Sequence, residues 1–111
     1  MLLATNAVLG SSIENVGQQE RVGTLDDFLL DDQQWTVRYL RIDTGGWLPG
    51  RQVILAPRVI DRNEWSNRRL WTGLTRQQVK DSPPIEADRP VSRQKEIELA
   101  NYYLWGVYWA A

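Results

Sequence analysis

Neither cysteine nor histidine occurs among these 111 residues. Without cysteine there are no disulfides and no thiolate nucleophile. Without histidine as well, His/Cys zinc sites, Ser–His–Asp triads and Cys–His dyads are excluded. A field of one sign is also missing. Thirteen Lys and Arg stand against fourteen Asp and Glu, for a net charge of −1. Such a balance gathers neither phosphates nor anionic lipid, so nucleic acid is not an expected partner. Long apolar runs are lacking too. Met1–Leu9 is apolar but is interrupted by Thr5 and Asn6, has no basic flank, and is too short to cross a bilayer. No membrane span is expected, and the expected location is the cytoplasm.

What the chain does have is punctuation. Arg21–Asp31, Trp35–Thr44 and Arg51–Ala56 are rich in Val, Ile, Leu, Tyr and Phe, and are separated by Asp32-Gln33-Gln34 and by Gly45-Gly46-Trp47-Leu48-Pro49-Gly50. That pattern predicts three strands joined by tight turns. Ser11–Val16 reads as an earlier strand, turned by Gly17-Gln18-Gln19-Glu20, and Gly23 marks a bulge or a corner. In Trp35–Thr44 the apolar parity switches, from Trp35, Val37 and Tyr39 to Leu40 and Ile42. Val53-Ile54-Leu55 is apolar on both faces. Both strands therefore need cover on both sides. Asn63-Glu64-Trp65 and Arg69–Thr72 are candidate short strands around a Ser66-Asn67 turn. The expected core is Val22, Phe28, Leu30, Val37, Leu40, Ile42, Val53 and Leu55.

Thr75 with Gln78 matches a capping box for a short helix that Ser82-Pro83-Pro84 stops. Ser92 caps a final helix running to about Trp105. On it Ile97, Ala100 and Leu104 form one apolar stripe, while Leu99, Tyr102, Tyr103 and Trp105 lie off it, so its last two turns are apolar nearly all round. The expected organisation is an arm over 1–10, a β-barrel over 11–84, a linker over 85–91, and a C-terminal helix with aromatic tail over 92–111. The fold class is mainly β: five or six mostly antiparallel strands, a short helix and a C-terminal helix.

Three stretches carry a family resemblance: Gly23-x-Leu25-Asp26-Asp27-Phe28-Leu29-x-Asp31-Asp32, Trp35-Thr36-Val37-Arg38-Tyr39-Leu40-x-x-Asp43-Thr44-Gly45, and Leu48-Pro49-Gly50-Arg51-x-Val53. Together they resemble the PRC-barrel family. The likeness continues through Leu74-Thr75-Arg76-Gln77-Gln78-Val79, Val91-Ser92-Arg93-Gln94-x-Glu96, Tyr102-Tyr103-x-Trp105 and Tyr108-Trp109, and so spans Val16 to Trp109. That family shares its small barrel with the cytoplasmic part of the reaction-centre H subunit and with the C-terminal domain of a ribosome maturation factor. The resemblance implies a non-enzymatic protein-interaction module, with an RNA- or ribosome-linked adaptor as the alternative. Lys95 stands where related sequences commonly carry a His, so no role of that His transfers here.

Six Trp and four Tyr in a chain of this length are more ring surface than one small core needs, since each ring buries about 150 to 250 Å². Tyr102, Tyr103, Trp105, Tyr108 and Trp109 are the expected interface, most simply a homodimer, with an unidentified protein as a further partner. Trp47, at the tip of a Gly-rich loop, either joins that contact or folds over the barrel mouth. Asp26, Asp27, Asp31 and Asp32 lack the Asp-x-Asp-x-Asp-Gly spacing of a cation loop; they read as turn formers and as partners of strand arginines. Asp43 reads as a turn former. Arg38, Arg41 and Arg51 read as solvated barrel arginines. An enzyme would have to use paired carboxylates or a Ser–Lys pair, and neither Lys80 nor Lys95 sits in an apolar stretch that would lower its pKa. No catalytic residue, metal or cofactor is expected.

Overall fold

The apolar runs close into strands as the turn residues direct, and the polar Ile60–Glu64 joins them in place of the expected Asn63-Glu64-Trp65, giving β1 (Ser12–Asn15), β2 (Arg21–Asp31), β3 (Thr36–Asp43), β4 (Arg51–Leu55), β5 (Ile60–Glu64), β6 (Arg69–Thr72) and β7 (Ile85–Glu86). Two helices complete the mainly β fold, α1 (Arg76–Lys80) and α2 (Arg93–Tyr103). The computed structural model describes residues 9–31, 34–86 and 90–105, the side chain of Trp65 apart. The seven strands form one sheet in the order β5-β6-β1-β2-β3-β4-β7. Every neighbouring pair is antiparallel except β1 and β6, which run parallel with Ser12 in register with Arg69. Two more strands are present than the lower expected number. The hydrogen-bonded order does not close on itself, so the barrel is open. The reason lies at Pro57: it cannot donate to a ladder, and the 3-10 turn Pro57–Val59 carries the chain from β4 to the far end of the sheet.

The parity switch in β3 has a structural cause. Two ladder irregularities in the β2–β3 pair, between Leu25 and Asp27 and between Leu29 and Leu30, shift which residues share a face. Tyr39 and Leu40 point to opposite faces yet both are buried, and so are Val53, Ile54 and Leu55 on β4. Both faces are therefore covered, as the sequence requires. Val22, Leu40, Ile42, Val53 and Leu55 are core, while Phe28 and Val37 are half-buried against it. Leu30 is a correction: expected inside, it is 52% exposed. It lies where β2 and β3 pair only with each other, since β1 registers no further along β2 than Thr24 and β4 reaches β3 only at Leu40–Ile42. Nothing covers the outer end of that two-stranded ribbon among the described residues.

Gly23 borders a further ladder irregularity between Ile13 and Glu14, and a Cβ there would lie 2.5 Å from both the Asp43 carbonyl oxygen and Ile42 Cγ2. The strands cross too closely for any side chain. At α1 the capping box is complete: the Thr75 hydroxyl accepts from the Gln78 amide and the Gln78 side chain accepts from the Thr75 amide. The stretch read as a linker starts inside the sheet, with Ile85 buried and Gln52 and Arg51 paired to Ile85 and Glu86. The alternation that identifies strands is invisible in two residues flanked by prolines.

Candidate interaction surface

The C-terminal segment is built from α2 and the turn that ends it. Ser92 caps the helix by accepting from the Lys95 amide at 3.2 Å. Leu99 and Ala100 are buried, and the Tyr39 hydroxyl donates to Glu96 Oε1 at 2.8 Å, tying the helix to β3. These contacts set the rotation of α2, and its inward face is therefore Glu96, Leu99, Ala100 and Tyr103, which shares only Ala100 with the expected stripe. Ile97 and Leu104 face outward, at 36% and 86% exposure. Leu104 ends the helix in the left-handed region, φ 61°, a conformation that costs a non-glycine residue roughly 1 to 2 kcal/mol. That turn sends Trp105 back onto the sheet. Its ring is 5% exposed, stacks on Tyr103 with centroids 4.7 Å apart, and lies 6.2 Å from Tyr39.

The five aromatic residues expected at an interface thus fall into three groups. Trp105 and most of Tyr103 are covered by their own chain, where burial pushes the Tyr103 phenol above its usual pKa. Tyr102 stays exposed, with its hydroxyl donating to the Gln78 carbonyl at 2.6 Å and its ring edge-on to Tyr103. Tyr108 and Trp109 lie outside the described residues. Trp105 and most of Tyr103 thus cover their own sheet, while Ile97, Tyr102 and Leu104 remain exposed.

Trp47 takes the second of its two alternatives. It folds back, its indole N–H donating to the Val22 carbonyl at 2.9 Å, with the Arg76 guanidinium 5.2 Å over the ring. Asp43 accepts from the Gly45 amide at 2.9 Å and shapes that loop. Arg38 meets Asp31 at 3.2 Å, and Arg41 bridges Asp26 and Asp27 at 3.5 and 2.9 Å. Asp31 also accepts from the Gln34 amide, and Asp32 lies outside the described residues. Arg51 reaches the end of α1, donating to the Lys80 and Ser82 carbonyls at 2.8 and 3.0 Å. No three His, Cys, Asp or Glu residues among those described converge as metal ligands do, and none of the described helices is long and apolar enough to cross a membrane.

Trp35, expected as the first residue of a covered strand, lies instead in the turn before β3, 77% exposed and with φ 54° at the tip of the β2–β3 ribbon. The available signal was a large ring in a turn after Asp-Asp-Gln-Gln, where glycine or asparagine is usual.

One carboxylate network ties β5 to β6. Glu64 accepts from Asn67, from the Trp71 indole N–H at 2.7 Å and from Arg62 at 2.9 Å. The Asn67 hydrogen bond above all, then that of Trp71, holds its carboxyl below the usual 4.5. A folded-state pKa lowered in this way stabilises the protein above 4.5, and the contribution is lost as pH falls below it. Urea midpoints measured at neutral pH and below pH 4.5 are expected to differ more for the wild type than for Glu64→Gln. Equal differences would show that the network does not couple to folding.

No family model matches the chain. An uncharacterised protein of Deinococcus radiodurans is 30% identical over 78 residues, which make up 68% of this chain and 27% of that protein. The chain therefore spans about a quarter of the relative it matches.

Proposed function

We propose that this chain is a non-enzymatic, cytoplasmic assembly module of the PRC-barrel type that associates with itself through its aromatic C-terminal segment. The observation that carries the reading is Leu104. A leucine in the left-handed region, 86% exposed, is poorly placed for a lone domain and well placed at a contact. Tyr103 and Trp105 act as the root that fixes this surface to the sheet, so an incoming partner meets a preformed patch rather than a segment that must first be ordered. The Deinococcus radiodurans relative supports a modular role, because the matching region accounts for only 27% of that longer chain. The residue inventory supports a non-enzymatic one, having neither His nor Cys. An RNA-linked role is disfavoured because the net charge is −1 and Arg38, Arg41, Arg62 and Arg69 each face a carboxylate of their own chain, whereas affinity for RNA rests on phosphate neutralisation.

Deleting residues 107–111, or changing Leu104 to Ser, is expected to weaken self-association at least tenfold, as loss of one well-buried anchor does. Light scattering over a concentration series reads this directly. A wild-type chain that remains monomeric at hundreds of micromolar overturns the proposal.

A further inference from the structure

We infer a second contact with another copy of this chain, in which Trp35 of one protomer enters an apolar socket on its partner and the partner's Trp35 enters the first. This goes beyond the C-terminal reading and rests on different residues.

The donor side is the ribbon described above. Beyond Leu25, which still bonds to Gly10 and Ser11, and before Leu40, β2 and β3 have only each other as ladder partners among the described residues. At the tip Trp35 and Leu30 are 77% and 52% exposed. Trp35 also pays a conformational penalty, because φ 54° disfavours any residue with a Cβ by roughly 1 to 2 kcal/mol. A glycine at this turn would remove both the strain and the exposed ring. Strain held at an exposed ring points to a contact made outside the protomer.

The acceptor is a cavity of about 180 Å³ between the β2–β3 pair on one side and the Pro57 turn with β5 and β6 on the other, lined by Leu25, Phe28, Leu40, Pro57, Ile60 and Leu70 together with Asn63. A dry cavity of ~150 Å³ takes a benzene ring, so this one has room for an aromatic side chain. The exposed amide of Asn63 offers an oxygen to an indole N–H, the polar handle a buried Trp needs.

The occupant follows from position and area. Phe28 and Leu40, which line the socket, are opposite one another on the same ribbon that carries Trp35. Anchor and socket are thus about 10 to 15 Å apart along the strands, and one two-fold axis beside the ribbon brings both insertions about together. Two rings and the sockets they fill would cover roughly 600 to 1,000 Å². This is below the ~1,200 Å² of stable specific interfaces and in the range of weak ones, so the contact is concentration-dependent.

The test is sedimentation equilibrium on the full chain and three variants: Trp35→Gly, Asn63→Arg and the double variant. Trp35→Gly is expected to weaken dimerisation at least tenfold while the thermal midpoint of the dilute protein holds or rises, because glycine relieves the left-handed turn. Asn63→Arg, an exposed change, is expected to weaken it comparably, and the double variant no further than the stronger single one, since both act on one contact. An unchanged dimer in Trp35→Gly, or a wild type monomeric throughout, overturns the inference. So does a socket that takes up free indole in a chain that never self-associates, which would assign it to another protein's ring. Loss of association on removing 107–111 but not in Trp35→Gly leaves the C-terminal proposal standing and removes this one; the reverse result does the opposite.

Discussion

Truncating Leu55 to Ala is expected to lower stability by about 2 to 5 kcal/mol, the range for deleting a fully buried leucine from a core that cannot collapse around the gap. Leu55 is 0% exposed and lies opposite Leu40 in the β3–β4 pair, with Ile54 and Val53 buried beside it on alternate faces. Because both faces of β4 are covered, neighbours on neither side are free to relax toward solvent. A domain of this size has only about 5 to 15 kcal/mol in total, so the variant keeps a small margin. The check is a denaturant titration: a lower midpoint with an unchanged slope locates the loss in the folded core. A shift under about 1 kcal/mol would mean that the strand is not packed on both sides.

Gly23→Ala is expected to be comparably damaging for the opposite reason. The added Cβ would meet the Asp43 carbonyl oxygen and Ile42 Cγ2 at 2.5 Å, and one of those two atoms is backbone. Relief requires β2 and β3 to separate, which would disturb the pairing of Thr24 with Asp43 and of Leu25 with Ile42. Overpacking of this kind costs roughly 1 to 3 kcal/mol, more where backbone must move. Glycine ordinarily gains from replacement by alanine through a less flexible unfolded chain, so the sign of the measured change is decisive. Increased stability in Gly23→Ala would refute the close approach.

Much of this arrangement is legible in the residues. Arg21–Asp31 was delimited by its flanking turns, and the Thr75–Gln78 box and the Ser92 cap were readable because capping chemistry is local: donor, acceptor and spacing all lie within one turn. Gly23 announced an irregularity for the same reason. What was not legible depends on neighbours distant in sequence. The parallel pairing of β1 with β6 leaves no local mark. Leu30 is apolar on a strand, and only the reach of β1 and β4 determines that it lies past the covered part. The rotation of α2 is not legible in the sequence because Glu96, a charged residue, turns inward to meet Tyr39, and no apolar periodicity registers that. The type of Trp105 suits an interface, whereas the left-handed turn at Leu104 folds it onto its own chain against Tyr103.

The parallel pair also fixes an order of events during synthesis. The β2–β3 hairpin is local and closes within microseconds of being available. β1 can join β2 almost as soon, but its other edge must wait for Arg69–Thr72. At about 5 to 20 residues per second, the stretch between Ser12 and Arg69 takes the ribosome several seconds to deliver. Throughout that interval the nascent sheet presents an unpaired strand edge beside the fully apolar Ile13 and Val22, the kind of surface that recruits other chains. Non-local pairing of this sort slows folding, and here it ties the sixth strand to the first, so that the sheet's centre is completed only after both of its neighbouring hairpins exist.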